Sequence, residues 1–360
     1  MEVTIIGAGI VGLCSALELM RSGVQVRIFE QSAVGRESSW AGGGILWPLY
    51  PWRYPAAVHQ LGQYSRTIYP ELCQELASTT GIDAEYQVSG VLIPEVDAVD
   101  QARRWAVTAD ESVQFLSAQE AAELEPALAR PEAAAYFPQA AQLRNPRFLQ
   151  AITEYLRRGG VRFHLDEPIL AIEQHQGKVS GILSKQGRYS LSGPLVIAAG
   201  AWSGELLKSF GAALPIRPVR GQMLLLRGQP GLMRRIILRN DHYVIPRADG
   251  HVLVGSTLED VGFDKSITEQ ARQDLQRAAA DLSPVLATLP VVTQWAGLRP
   301  GSPDGVPVIA AHPTLAGVFV NAGHFRNGVL LAPASARLLS DLIWSQTPVF
   351  DPTLYSYPAS

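Results

Sequence analysis

The run Gly7-Ala8-Gly9-Ile10-Val11-Gly12 restricts what this chain can fold into more than any other feature. It follows Val3-Thr4-Ile5-Ile6, a short β-branched run suited to a strand covered on both faces. It opens a segment that places Ile10, Leu13, Leu17 and Met20 on one helical stripe, with Gly23 near its end. Residues 24–30 then read as a second strand, with Val24, Val26 and Ile28 inward and Gln25 and Arg27 outward. Strand, tight turn, helix and strand make a βαβ unit with a right-handed crossover. Gly7 permits the turn, Gly9 lets the backbone approach a pyrophosphate, and Gly12 lets the helix pack closely on the sheet. The helix N-terminus offers free N–H groups and a positive dipole end to phosphates. Glu30 closes the second strand, where it can accept ribose hydroxyls and repel a 2′-phosphate. A bound dinucleotide is expected.

Two further glycine clusters decide which one. Glu37-Ser38-Ser39-Trp40-Ala41-Gly42-Gly43-Gly44-Ile45 suits a loop that hugs a cofactor's phosphate and ring, for which an NAD fold has less use. Ala322-Gly323-His324-Phe325-Arg326-Asn327-Gly328-Val329-Leu330 lies between a strand at 318–321 and a helix at 329–345. A helix N-terminus there would stabilise the negative charge of a reduced flavin. Both features favour FAD.

Between these ends, residues 48–81 read as helical and aromatic, and 85–140 mix a strand at 90–93 with a helix at 118–128. An amphipathic helix at 148–158 ends at Gly159-Gly160, and strands follow at 161–165 and 195–199. Strands at 221–226, 241–246 and 251–255 precede a helix at 268–282. Nucleotide-type strands thus occur at the start, middle and end, interrupted twice by an antiparallel-looking block. The expected fold class is α/β, with a discontinuous Rossmann-like FAD domain and an inserted α+β substrate domain on an antiparallel sheet. The FAD domain takes 1–80, 141–214 and 298–360, and the substrate domain 81–140 and 215–297. Residues 351–360 read as a frayed tail.

The formal charge of -3 and the scattered basic pairs exclude a nucleic-acid stripe. Cys14 and Cys73 have no metal or disulfide spacing, so no metal is expected and a reduced cytoplasmic setting fits. The apolar N-terminus lacks a basic leader and carries Glu2 and Glu18, which argues against a signal sequence or a membrane span.

Together these motifs resemble the D-amino-acid oxidase-like flavoproteins, and among them the bacterial glycine oxidases of thiamine biosynthesis. The resemblance runs nearly end to end, through residues 6–12, 38–46, Ala198-Ala199-Gly200-Ala201-Trp202-Ser203, Trp295-Ala296-Gly297-Leu298-Arg299-Pro300-Gly301 and Gly323-His324-Phe325-Arg326-Asn327-Gly328. It implies carboxylate binding by Tyr243 and Arg299, with Arg326 nearby. It implies cofactor contacts at Gly7, Gly9, Ile10, Val11, Gly12, Glu30, Gln31, Ser38, Ser39, Gly43, Gly44 and Ile45. It extends them to Ile172 and to His324, Phe325, Arg326, Asn327, Gly328, Val329 and Leu330. The sarcosine-oxidase branch holds its flavin through a C-terminal cysteine; none follows Cys73 here, so FAD should be non-covalent.

The implied reaction is oxidative deamination of glycine to glyoxylate, ammonia and hydrogen peroxide, by hydride transfer from the α-carbon to flavin N5. Its partners are a small amino acid and molecular oxygen, and the resemblance implies a homotetramer. Arg299 can grip a carboxylate bidentately and Tyr243 can add a third hydrogen bond. No acid or base is nominated; His242 and His324 read as structural. Trp40, Trp47 and Trp202 read as packing residues, and Ile45 and Leu258 as pocket wall. Sarcosine, D-alanine or D-proline as substrate, or a non-catalytic FAD module, are the alternatives.

Overall fold

The Glu2–Ile6 strand lies inside a six-stranded sheet of the computed structural model, which describes residues 1–109, 111–210 and 214–357. The order is Val308–Ala311, Val318–Ala322, Leu195–Ile197, Glu2–Ile6, Gln25–Phe29, Arg162–His164. All neighbours run parallel except the edge strand Val308–Ala311. Such strands must be covered on both faces. The Ile10–Arg21 and Gly328–Ile343 helices cover one, backed by Ala56–Thr80 and Asn145–Arg158. A three-stranded antiparallel sheet, Ile169–His175, Lys178–Ser184 and Arg188–Ser190, covers the other.

That second cover changes one expectation. Arg27 is not outward in solvent but buried, because the small sheet lies over it. Its guanidinium finds acceptors there: Nε donates to Thr4 Oγ1 at 2.9 Å and Nη2 to the Ser190 carbonyl at 2.6 Å. A buried charge without such partners would be costly.

The second large sheet has eight strands, in the order Val291–Gly301, Arg217–Arg227, His251–Gly255, His242–Pro246, Ile236–Arg239, Val91–Ile93, Ala134–Phe137, Gln114–Leu116. Its pairings are antiparallel apart from Ile236–Arg239 with Val91–Ile93. The Glu269–Leu282 helix packs on it, capped by the Thr268 side chain. The long Val291–Gly301 strand is not visible as a period-2 pattern, since polar Thr293-Gln294 is followed by the apolar run Trp295-Ala296-Gly297-Leu298 and Pro300 stands next to its end. It is an edge strand, where proline is tolerated. It runs unbroken past residue 298, so Arg299 is carried on this sheet.

The chain end is also anchored further than expected. Tyr355 is fully buried and its hydroxyl donates to the Ala57 carbonyl at 2.9 Å; residues 358–360 of the expected tail lie outside the described residues.

Two glycines fix the first βα turn. Gly7 has φ +108° and a Cβ there would lie 2.3 Å from the Ala198 carbonyl oxygen. A Cβ on Gly12 would lie 2.0 Å from the Gly7 carbonyl oxygen. An ordinary helical Gly→Ala change gains about 1 kcal/mol of propensity, but overpacking costs about 1–3 kcal/mol. Gly62, in the Ala56–Thr80 helix, is the control, because its Cβ would meet Leu330 at an ordinary 3.4 Å. Thermal unfolding should therefore show Gly12→Ala less stable than wild type and Gly62→Ala equal or more stable. Equal gains in both would contradict this packing.

Candidate active site

A cavity of about 450 Å³ opens at the C-terminal ends of the parallel strands and is lined from both large sheets. Of the residues expected from sequence, Gly7, Gly9, Ile10, Val11, Glu30, Gln31, Ser38, Ser39, Gly43, Gly44, Ile45 and Ile172 line it. So do Tyr243, Arg299 and the run His324 to Leu330. Gly12 does not; it packs on Gly7 instead. Leu258 is exposed and off the wall, because the segment after Gly255 turns its apolar side chains outward. Trp47 and Trp202 line the cavity, whereas Trp40 packs edge-on against Trp295.

The dinucleotide turn presents several groups ready for a ligand. The Ile10 N–H donates to Ser39 Oγ at 2.9 Å, and the Ser39 hydroxyl proton has no acceptor among the described residues. A Cβ on Gly9 would meet only that oxygen, at 3.1 Å, so protein does not crowd the approach to its backbone. The buried Glu30 carboxylate accepts from the Ala8 N–H at 2.8 Å and the Ser32 N–H at 3.1 Å. Burial raises its pKa, and these backbone donors oppose the rise. The Gly328–Ile343 helix starts at the cavity without a side-chain cap, and the side-chain Nδ2 of Asn327 is buried there without a partner among the described residues. Orphan donors at a helix start suit an electron-rich ring edge or an anion. A cradle of free donors, a carboxylate and glycine backbone fits FAD.

The loop through Gly42–Gly44 is locked by residues that sequence reasoning missed. Asn145 Nδ2 donates to the Ser39 and Gly42 carbonyls at 2.8 and 3.0 Å. Arg247 donates to the Gly43 and Leu143 carbonyls at 2.7 and 3.0 Å and to Gln142 Oε1 at 2.8 Å. Burial pulls its pKa down to about 10. A charge closing the apolar Tyr243-Val244-Ile245-Pro246 run was the available signal.

Tyr243 stands on the His242–Pro246 strand, its ring pressed between Gly43 and Gly255. A Cβ on either glycine would come within 3.3 or 2.7 Å of that ring. The one acceptor for its hydroxyl proton among the described residues is the Met223 sulfur, at 3.4 Å, a weak one, while the hydroxyl oxygen faces the Arg299 guanidinium. Arg299 comes from the edge strand Val291–Gly301, separated by two strands, with its guanidinium on the bare backbone of Gly221; a Cβ there would lie 2.0–2.3 Å from Nη1, Nη2 and Cζ. Ser256 Oγ accepts from its Nη2 at 2.7 Å and the Thr257 carbonyl from Nη1 at 3.2 Å. Burial lowers the Arg299 pKa, Tyr243 opposes this, and Arg326 adds to it. Among the described residues no carboxylate lies within salt-bridge reach of Arg299.

His242 stays off the cavity, with Nδ1 bonded to the Asn240 carbonyl at 2.9 Å. His324 lines it, is buried, and pairs Nε2 with Ser335 Oγ at 2.9 Å. Burial pushes its pKa down to about 3. Its folded pKa therefore lies below its ordinary value of 6.5, so the unfolded chain binds the extra proton between about pH 6.5 and 3. The stability from keeping it neutral is complete above that window and is lost as pH falls through it, by up to about 1.4 kcal/mol per pH unit. Replacing it should flatten this: unfolding of His324→Gln should depend less on pH between 4 and 6.5 (about the span of the window) than wild type. Identical slopes would contradict a buried neutral imidazole.

The family model described as FAD dependent oxidoreductase matches residues 2–342. The glycine oxidase of Pseudomonas aeruginosa is 41% identical over 357 residues, covering 99% of this chain and 98% of that protein. That of Pseudomonas putida is 40% identical over 359 residues, covering 99% and 98%. Among solved structures, glycine oxidase from Geobacillus kaustophilus superposes with a TM-score of 0.93 at 28% identity, covering 99% of this chain and 98% of that one. The chain belongs to the FAD-dependent oxidoreductase family.

Proposed function

We propose that the protein oxidises glycine with molecular oxygen, using non-covalent FAD. The observation that carries this reading is Arg299: a half-buried guanidinium, open to the cavity and paired with no carboxylate among the described residues, beside a tyrosine hydroxyl with no strong acceptor. That pair asks for a carboxylate.

Arg299 and Tyr243 hold the substrate carboxylate and so fix the α-carbon. Exclusion of water lowers the pKa of the amine, so that it reacts neutral, and the part of the Arg326 charge that Asp241 leaves uncompensated acts in the same direction. Bound FAD supplies the two-electron acceptor, returning the electrons to oxygen, so glycine, water and oxygen give glyoxylate, ammonia and hydrogen peroxide. No side chain is assigned as a base; His324 is too weak a one. Gly7, Gly9, Ile10, Val11, Glu30, Gln31, Ser38, Ser39 and the Gly43 to Ile45 loop would hold the cofactor. Ile172 and residues 324–330 would complete its site, and Gly12 would serve it only through the turn. Cys14 and Cys73 are both buried in the helical core, which supports a non-covalent flavin.

Residues 1–80, 141–214 and 298–360 would form the cofactor unit, and 81–140 and 215–297 the substrate unit, with Arg299 kept on the substrate sheet by the strand that crosses the boundary at 298. Among the described residues no helix is long and apolar enough to cross a membrane. A cytoplasmic homotetramer supplying an imine for thiamine thiazole assembly completes the reading.

Anaerobic glycine should bleach the flavin of the purified protein in proportion to the glycine bound. In Arg299→Met the concentration needed should rise by the equivalent of about 2–5 kcal/mol, with flavin content kept, and Gly221→Ala should shift it the same way. Bleaching by sarcosine or D-alanine but not by glycine, or an unshifted Arg299→Met, would overturn the assignment.

A further inference from the structure

The pocket has a second guanidinium, and that one does have a counter-ion. Arg326 lines the cavity, and its Nη1 lies 3.8 Å from Asp241 Oδ1. The same oxygen accepts from Arg53 Nη1 at 2.7 Å. We propose that Asp241 is a specificity-determining residue that occupies Arg326, so that the site accepts substrates with one carboxylate and disfavours those with two. This rests on the reading that the substrate carboxylate meets Arg299.

Asp241 is held in place for this task from three sides. It forms the turn with Asn240 between the Ile236–Arg239 and His242–Pro246 strands, both residues having positive φ, 50° and 60°. That is the conformation of a tight hairpin, which Asn and Asp tolerate. It stands two residues before Tyr243, so the strand that presents the tyrosine also aims the carboxylate. Its N–H donates to the Tyr50 hydroxyl at 3.4 Å. Tyr50 is itself buried, bonds Glu95, and carries the Arg53 guanidinium on its ring at 3.8 Å from the centroid. Arg53 is thus placed by an aromatic platform, and Asp241 is placed by Arg53 and the turn.

The consequence follows from charge alone. Arg299 faces the cavity without a carboxylate, so one substrate carboxylate can settle there. A second carboxylate on the same ligand would have to compete with Asp241 for Arg326 and would lie beside a like charge. Exposed ion pairs contribute little to stability, so the value of this one lies in discrimination.

The test uses the flavin-loaded protein and the change in flavin absorbance on binding glycolate, which has one carboxylate, against malonate and succinate, which have two. Asp241→Asn keeps the side-chain size and removes the charge. It should raise the affinity for malonate or succinate relative to glycolate at least tenfold, and lower the KM for iminodiacetate relative to glycine in peroxide release. Asp241→Glu should stay near wild type. Arg53→Met, which leaves Asp241 charged, should leave the affinity ratio unchanged or lower it. An unchanged ratio in Asp241→Asn, or an equal rise in Arg53→Met, overturns the proposal and leaves the glycine reading intact. If glycolate fails to perturb the wild-type flavin, the proposal and the carboxylate reading both fall.

Discussion

A guanidinium taken out of water without a carboxylate costs several kcal/mol unless neighbouring dipoles replace its solvation. Arg299 of the second sheet is half-buried and bears part of this cost, with no carboxylate paired to it among the described residues. Arg299 rests on the backbone of Gly221, and Ser256 and Thr257 take part of its hydrogen bonding. Thr257 is fixed in turn, since its hydroxyl accepts from the Gln222 N–H at 2.8 Å and donates to Glu259. Glu259 is tied to the buried Arg220, which also bonds Asp264 at 2.6 Å. Arg220 therefore has two carboxylates and Arg299 none. Arg247 also lacks one, but three oxygens close around it away from the cavity. Arg299 is the one that opens onto the cavity, and its surplus charge is available to a ligand.

The first sheet does the complementary task. Its parallel strands end together, and the glycine turn after Glu2–Ile6 leaves donors and bare backbone where those ends meet. The Gly328–Ile343 helix adds an uncapped N-terminus at the same place. Tyr243 and Arg299 reach this cavity from the other sheet, so a ligand held by the first sheet and one held by the second would share it.

How much of this was legible depended on whether a residue's reason was local. The strand, turn, helix and second strand of residues 2–30 follow from short-range sterics and periodicity, and they lie where the sequence puts them. The residues expected at the site gather on one cavity, Gly12 and Leu258 aside, because most sit on glycine-marked turns. Arg27 was misread because its burial depends on a sheet more than a hundred residues away in sequence. The Val291–Gly301 strand had no visible alternation, since its ten-residue pairing with Arg217–Arg227 is a tertiary fact. Gly221 and Asn145 were invisible for the same reason, and Arg247, marked only as a charge closing an apolar strand, gave no sign of its partner: each acts on a group distant in sequence.

In the proposed reaction the carboxylate of the substrate meets Arg299 and Tyr243. A crystal structure of the FAD-loaded protein with glycolate bound tests it most directly. Both carboxylate oxygens are expected within hydrogen-bonding distance of the Arg299 guanidinium, with the Tyr243 hydroxyl turned from Met223 to donate to one of them. A carboxylate seated elsewhere in the cavity, with Arg299 still bonded only to Ser256 and Thr257, would contradict it.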